Sequence, residues 1–107
     1  MTPKEILIAA QAKIEAPERW VKGKFASLAD GRKCYPDNER AVCFCAEGAV
    51  FASGARWAAK AKALRFLRDV AVGDEFTSIP DWNDAPDRTH AEVLAAFDRA
   101  IAAAGDE

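Results

Sequence analysis

The sequence predicts an all-α fold, with four helices and two long aromatic-anchored loops making a single domain over residues 1–107. Three observations lead there. Ala fills 24 of the 107 positions while Gly and Pro together fill 11, and Ala has the highest intrinsic helix propensity. Two capping boxes, Thr2-Pro3-Lys4-Glu5 and Thr89-His90-Ala91-Glu92, mark helix starts at which Thr and Glu side chains accept from otherwise unpaired backbone N–H groups. Behind both boxes, apolar side chains recur at three- and four-residue spacing.

The first helix is expected over residues 3–16. Pro3 sits where a missing N–H costs nothing, Ile6, Leu7, Ala10 and Ile14 make the apolar stripe, and Ala16-Pro17 ends it because the residue before Pro is pushed out of helical geometry. Residues 17–38 carry no sustained period. They mix large anchors, Trp20, Phe25 and Tyr35, with the turn-formers Gly23, Gly31 and Pro36. Within this first loop, Asp30-Gly31 suits a tight turn between Lys24-Phe25-Ala26 and Lys33-Cys34-Tyr35, so a short β-hairpin is weighed there.

From Asn38 to Ser53 the run Ala41–Ala52 holds one charge, Glu47, which reads as a helix that is apolar nearly all round and buried at the centre of the fold. Cys45, Ala49 and Ala52, with Gly48 adjacent, give it a face almost free of bulk that lets another helix approach. Gly54 is the expected stop. A third helix is expected from about Ala55 to Ala71, with Trp57, Ala63, Leu64, Phe66, Leu67, Val70 and Ala71 on one broad arc, Lys62, Arg65 and Arg68 on the other, and Arg56 and Lys60 at the edge of the apolar arc. Residues 73–88 form the second loop. The fourth helix follows the Thr89 box, with Val93, Leu94, Phe97, Ala100, Ile101 and Ala104 on one face and Gly105 as its stop.

Composition excludes several classes. No window of about 18 residues stays apolar without a charged side chain, and no basic-then-apolar leader opens the chain. Three Cys cannot complete a disulfide framework and fit free thiols in a reducing compartment, so a cytoplasmic location is expected. The net charge of −2 hides an asymmetry: residues 1–68 carry 13 basic and 7 acidic side chains, and residues 69–107 carry 2 and 10. Such a chain can fold its halves together or show basic and acidic faces to different partners.

Four chemistries are open to test. Cys45, His90 and Asn83 or Asp84 supply the residue types of a thiol hydrolase or transferase, although a thiol in the middle of an apolar helix is inert. Metal binding fails on spacing, because Cys43 and Cys45 would stand about 200° apart on a helix; no metal and no cofactor are expected. Nucleic-acid contact would use Lys62, Arg65 and Arg68, together with the interleaved Trp20, Lys22, Lys24 and Phe25, against an isoelectric point of 5.4. The loop Ile79–Thr89 offers a pocket in which Trp20 and Trp82 form apolar walls and Asn83, Asp84, Arg88 and His90 supply polar specificity. Its alternative is local: Trp82 plugs the core and the polar groups make turns and caps.

The ordered motifs Trp20-x-x-Gly23-x-Phe25-Ala26, Asp30-Gly31, Cys45-x-x-Gly48-Ala49, Ile79-x-x-Trp82-Asn83-Asp84 and Arg88-Thr89 with Glu92-Val93 resemble those of a family of small bacterial and phage domains of unknown function, over about residues 6–102. The resemblance implies a bacterial or phage origin and places Cys45, Gly48, Trp82, Asn83, Asp84 and Thr89 in the family pattern. Phe44 departs from it, standing where the pattern has Trp. The resemblance brings no activity. The leading expectation is a noncatalytic interaction or regulatory module, binding a protein partner or itself through the basic face of the third helix or the Trp82 loop.

Overall fold

Helix α1 (Pro3–Lys13) begins at the first capping box, where Thr2 Oγ1 accepts from the Glu5 N–H at 3.1 Å and Glu5 Oε1 accepts from the Thr2 N–H at 2.8 Å. In this computed structural model, which describes residues 1–105, the α1 stripe Ile6, Leu7, Ala10 is fully buried. The helix ends at Lys13 rather than Ala16. Ile14 leaves helical geometry at φ −114°, ψ 15°, and a short 3-10 turn spans Pro17–Arg19.

The first loop contains the hairpin. Strands β1 (Ala26–Ser27) and β2 (Lys33–Cys34) pair antiparallel with Ala26 opposite Cys34, and Gly31 turns the chain at φ 89°. That positive φ is readily adopted by glycine.

The buried helix expected over residues 38–53 is mostly something else. Cys43–Phe44 form strand β3, which pairs with the other edge of β1 in the order β2-β1-β3. Helix α2 occupies only Ala46–Phe51. An apolar run with one charge has no polar face to reveal its period, and the buried β1 backbone supplies the deciding demand. Ser27 O accepts from the Val42 N–H at 2.8 Å and Phe25 O from the Cys45 N–H at 3.1 Å, bonds that buried main chain must find somewhere. Gly48 does permit a close approach, but by the backbone leading into β1 rather than by a helix: a Cβ there would lie 1.9 Å from the Phe25 carbonyl oxygen.

Helix α3 (Trp57–Ala71) follows the expected course, and α5 (His90–Ala104) opens with the second capping box and stops at Gly105, φ 57°. The second loop holds an unexpected helix α4 (Ile79–Asn83), whose N-cap Ser78 accepts from the Asp81 N–H at 3.2 Å with Pro80 in its first turn. The all-α expectation therefore becomes five helices with a small three-stranded antiparallel sheet.

Ala63 and Leu67 of α3, Ala96, Phe97 and Ala100 of α5 and the α1 stripe make the centre of the core. Small residues on α5 let α1 and α3 pack closely on it. Gln11 Nε2 ties α1 to α5 by donating to Leu94 O and Asp98 Oδ1. No helix among the described residues is long and apolar enough to cross a membrane.

Candidate functional site

The polar loop residues converge on Asn83. Its side chain is fully buried and fully used: Oδ1 accepts from Trp20 Nε1 at 2.7 Å and from the Ala46 N–H at 3.0 Å, while Nδ2 donates to Val21 O at 3.1 Å and Asp84 Oδ1 at 2.9 Å. Asp84 Oδ1 also accepts from the Gly23 N–H at 2.9 Å. The segments quoted as separate motifs, Trp20 to Gly23, Cys45 to Gly48 and Trp82 to Asp84, are thus one hydrogen-bonded joint around a single carboxamide.

Trp82 takes the local role. It is 4% exposed and lies in the core, so it does not wall a pocket opposite Trp20. Arg88 covers it, with the guanidinium 4.5 Å from the Trp82 ring centre and 5.4 Å from that of Phe76, and Nε donating to Trp82 O at 3.0 Å. This cation–π sandwich leaves Glu92, 3.5 Å from Nη1, as its ionic partner.

Cys45 and His90 are not brought together as a dyad. His90 Nε2 lies 2.6 Å from Ile14 O, and its ring is tilted against Trp20 at 6.0 Å; a carbonyl only accepts, so Nε2 carries the proton. Cys45 is the N-cap of α2 rather than a mid-helix residue, and its Sγ accepts from the Gly48 N–H at 3.2 Å. Burial pushes its thiol up to about 11, outweighing the opposing pull of the Gly48 and Glu47 N–H groups. Near neutral pH the sulfur is a protonated, poorly nucleophilic thiol. Cys34 and Cys43 lie on β2 and β3, on opposite sides of β1, and two strand spacings, about 9–10 Å, exceed the reach of a disulfide.

Two depressions flank α4. A cavity of about 290 Å³ lies between the hairpin and α4, lined by Gly23, Lys24, Phe25, Lys33, Cys45, Pro80 and Asp84. On the other side an open groove of about 530 Å³ runs along α3, lined by Trp57, Ala61, Leu64, Arg65, Arg68 and Asp69 and closed by Glu47 and Thr77–Ile79. Burial raises the Glu47 carboxyl above its usual range.

Three aromatic rings join these depressions across the surface. Phe51 stacks on Trp57 at 5.9 Å and 15°, and meets Phe25 edge-on at 6.1 Å. Trp57 is 63% exposed and Phe25 45%. The expectation that Trp57 shares the buried arc of the third helix is corrected here. It stands roughly 80–120° round the helix from Ala63 and Leu67, the residues that do face the core. That offset is the signal through which the ladder could have been found. Lys60, placed at the arc edge, donates to Phe51 O at 2.9 Å, while Arg56, Lys62, Arg65 and Arg68 are exposed and form no ion pair among the described residues.

Comparison with known proteins gives one finding. The model of a family described as "Family of unknown function (DUF6197)" matches residues 1–103. No curated protein and no solved structure matches the chain.

Proposed function

The chain belongs to this family of unknown function, and we propose from its own geometry that it is a noncatalytic interaction module that docks an acidic, apolar-anchored segment of a partner protein along α3. One observation carries the reading: Trp57 and Phe25 remain exposed at the two ends of a three-ring aromatic ladder, stacked at Trp57 and edge-on at Phe25. Exposed aromatic surface beside an open groove has the character of a binding hot spot.

Charge selects the occupant. No acidic residue occurs from Arg56 to Arg68, and that stretch carries four exposed cations, of which Arg65 and Arg68 line the groove together with the carboxylates Glu47 and Asp69. From Trp57 to Arg68 the helix rises about 16 Å, which matches about five residues of extended chain. Nucleic acid would use the same cations, Lys62, Arg65 and Arg68, but the acidic balance of the chain as a whole opposes it.

The test is fluorescence anisotropy with a labelled peptide of Glu and Asp carrying Leu and Phe anchors, alongside a lysine-substituted counterpart and an oligothymidine. The acidic peptide should bind, weaken with salt, and lose about tenfold or more in affinity to the Trp57→Ala variant. Failure to bind, equal affinity for Trp57→Ala, or preference for the oligothymidine each overturns the reading, the last in favour of nucleic-acid contact. Concentration-dependent sedimentation abolished by Trp57→Ala would instead make a second copy the occupant.

A further inference from the structure

We propose that the cavity between the β1–β2 hairpin and α4 is a binding site for a small organic acid with an apolar body. The cavity lies apart from the α3 groove and shares with the docking surface only the Phe25 ring. Its volume of about 290 Å³ falls at the lower end of the ligand-pocket range, roughly 300 Å³, and suits a ligand of fragment size.

The walls set the chemistry. Phe25 and Pro80 offer apolar surface, and the protonated Cys45 thiol adds a further weakly polar one. Two ammonium groups belong to the hairpin side. Lys24 Nζ donates to Gly31 O at 2.8 Å, which holds its charge at the hairpin turn, and the exposed side chain of Lys33 on β2 has no hydrogen-bond or ionic partner among the described residues. At the α4 side, Asp84 spends Oδ1 on the Gly23 N–H and Asn83 Nδ2. The lining therefore carries one uncommitted cation, Lys33, on the hairpin side and a partly committed carboxylate, Asp84, at the end of α4. An anionic head belongs beside Lys33 and an apolar body along Phe25 and Pro80, while a cationic head of the same size finds only the partly committed Asp84 carboxylate and meets the repulsion of Lys33.

The joint around Asn83 supplies the rigidity such a site needs. Gly23, Cys45 and Asp84, from three separate segments, are fixed relative to one another through Asn83, Ala46 and the Phe25 carbonyl, so the cavity is preformed.

The experiment is two-dimensional amide NMR of the full chain titrated with 3-phenylpropionate and, separately, phenethylamine, which share an aryl body and differ in the sign of the head. The acid should move the resonances of residues 23–25, 33 and 45 at millimolar concentration, while the amine leaves them in place. Lys33→Glu should weaken the acid roughly fivefold or more, with an otherwise unchanged spectrum confirming that the variant folds. Trp57→Ala should bind the acid as the parent does, which separates this site from the α3 groove. No movement with the acid, equal movement with the amine, or undiminished binding to Lys33→Glu overturns the proposal.

Discussion

Replacing Asn83 by Ala tests whether the joint holds the fold together. The substitution strands two donors, Trp20 Nε1 and the Ala46 N–H, and removes a donor from Val21 O and Asp84 Oδ1. A buried donor left without an acceptor costs about 1–3 kcal/mol, so the two together give about 2–6 kcal/mol before any cavity is counted. Domains of this size have roughly 5–15 kcal/mol in all. With a urea slope of about 2 kcal/mol per M, the midpoint should fall by about 1–3 M, read by tryptophan fluorescence and circular dichroism together. Trp20→Phe removes one of the stranded donors in advance, so Asn83→Ala should cost about 1–2 kcal/mol less in that background. Asn83→Asp keeps the acceptors but turns an oxygen toward Val21 O and the Asp84 carboxylate. Burial and that like charge raise the new carboxyl above its unfolded value, so the native state binds the extra proton. The loss is then greatest at neutral pH and shrinks as pH falls through the raised pKa. A midpoint shift for Asn83→Ala worth less than about 0.5 kcal/mol, or strict additivity with Trp20→Phe, refutes the joint.

Two further outcomes follow from the packing. Gly48→Ala should cost more than about 2 kcal/mol in thermal or urea unfolding, since its Cβ meets the Phe25 carbonyl rather than a movable side chain; Gly54→Ala, with open space around it, should be neutral or gain about 0.4–1 kcal/mol. Iodoacetamide at pH 8 should label the half-buried Cys34 and Cys43 in the folded protein and spare Cys45, because a thiol at about 11 is only about 0.1% thiolate there. Cys45 labelling should appear on unfolding or at strongly alkaline pH, and rapid native labelling at pH 8 would contradict its burial.

Local rules were legible where the signal is local. The Thr2 and Thr89 boxes, the Gly105 stop and the Asp30-Gly31 turn need only a few neighbouring residues to form, and each stands where the sequence places it. The stretch 38–53 was not legible, because its apolar run is equally consistent with a buried strand and a buried helix. The choice was made by β1, whose two edges take Lys33–Cys34 and Cys43–Phe44; that pairing is tertiary and leaves no periodic trace. Helix α4 was hidden for a related reason. Five residues with an internal Pro are too few to show a period, although Ser78-Ile79-Pro80-Asp81 contains an N-cap and a favourable first-turn Pro.

The candidate site divides in the same way. Trp20, Asn83 and Asp84 could be picked out as polar and aromatic residues concentrated in loops, but whether they face a ligand or one another depends on where Ala46 and Gly23 arrive. In the folded chain Asn83 has no lone pair or N–H left for a substrate, which removes it from chemistry and makes it the support of the surfaces beside it. Those surfaces are built from residues with ordinary sequence signals: a Lys on a two-residue strand, a Pro in a one-turn helix, and a Trp whose helical angle departs from the core-facing pair by about a quarter turn. A motif that is spatially continuous and fully hydrogen-bonded explains itself by folding, so function in this chain is better sought at the exposed rings and unpaired cations that the joint holds in place.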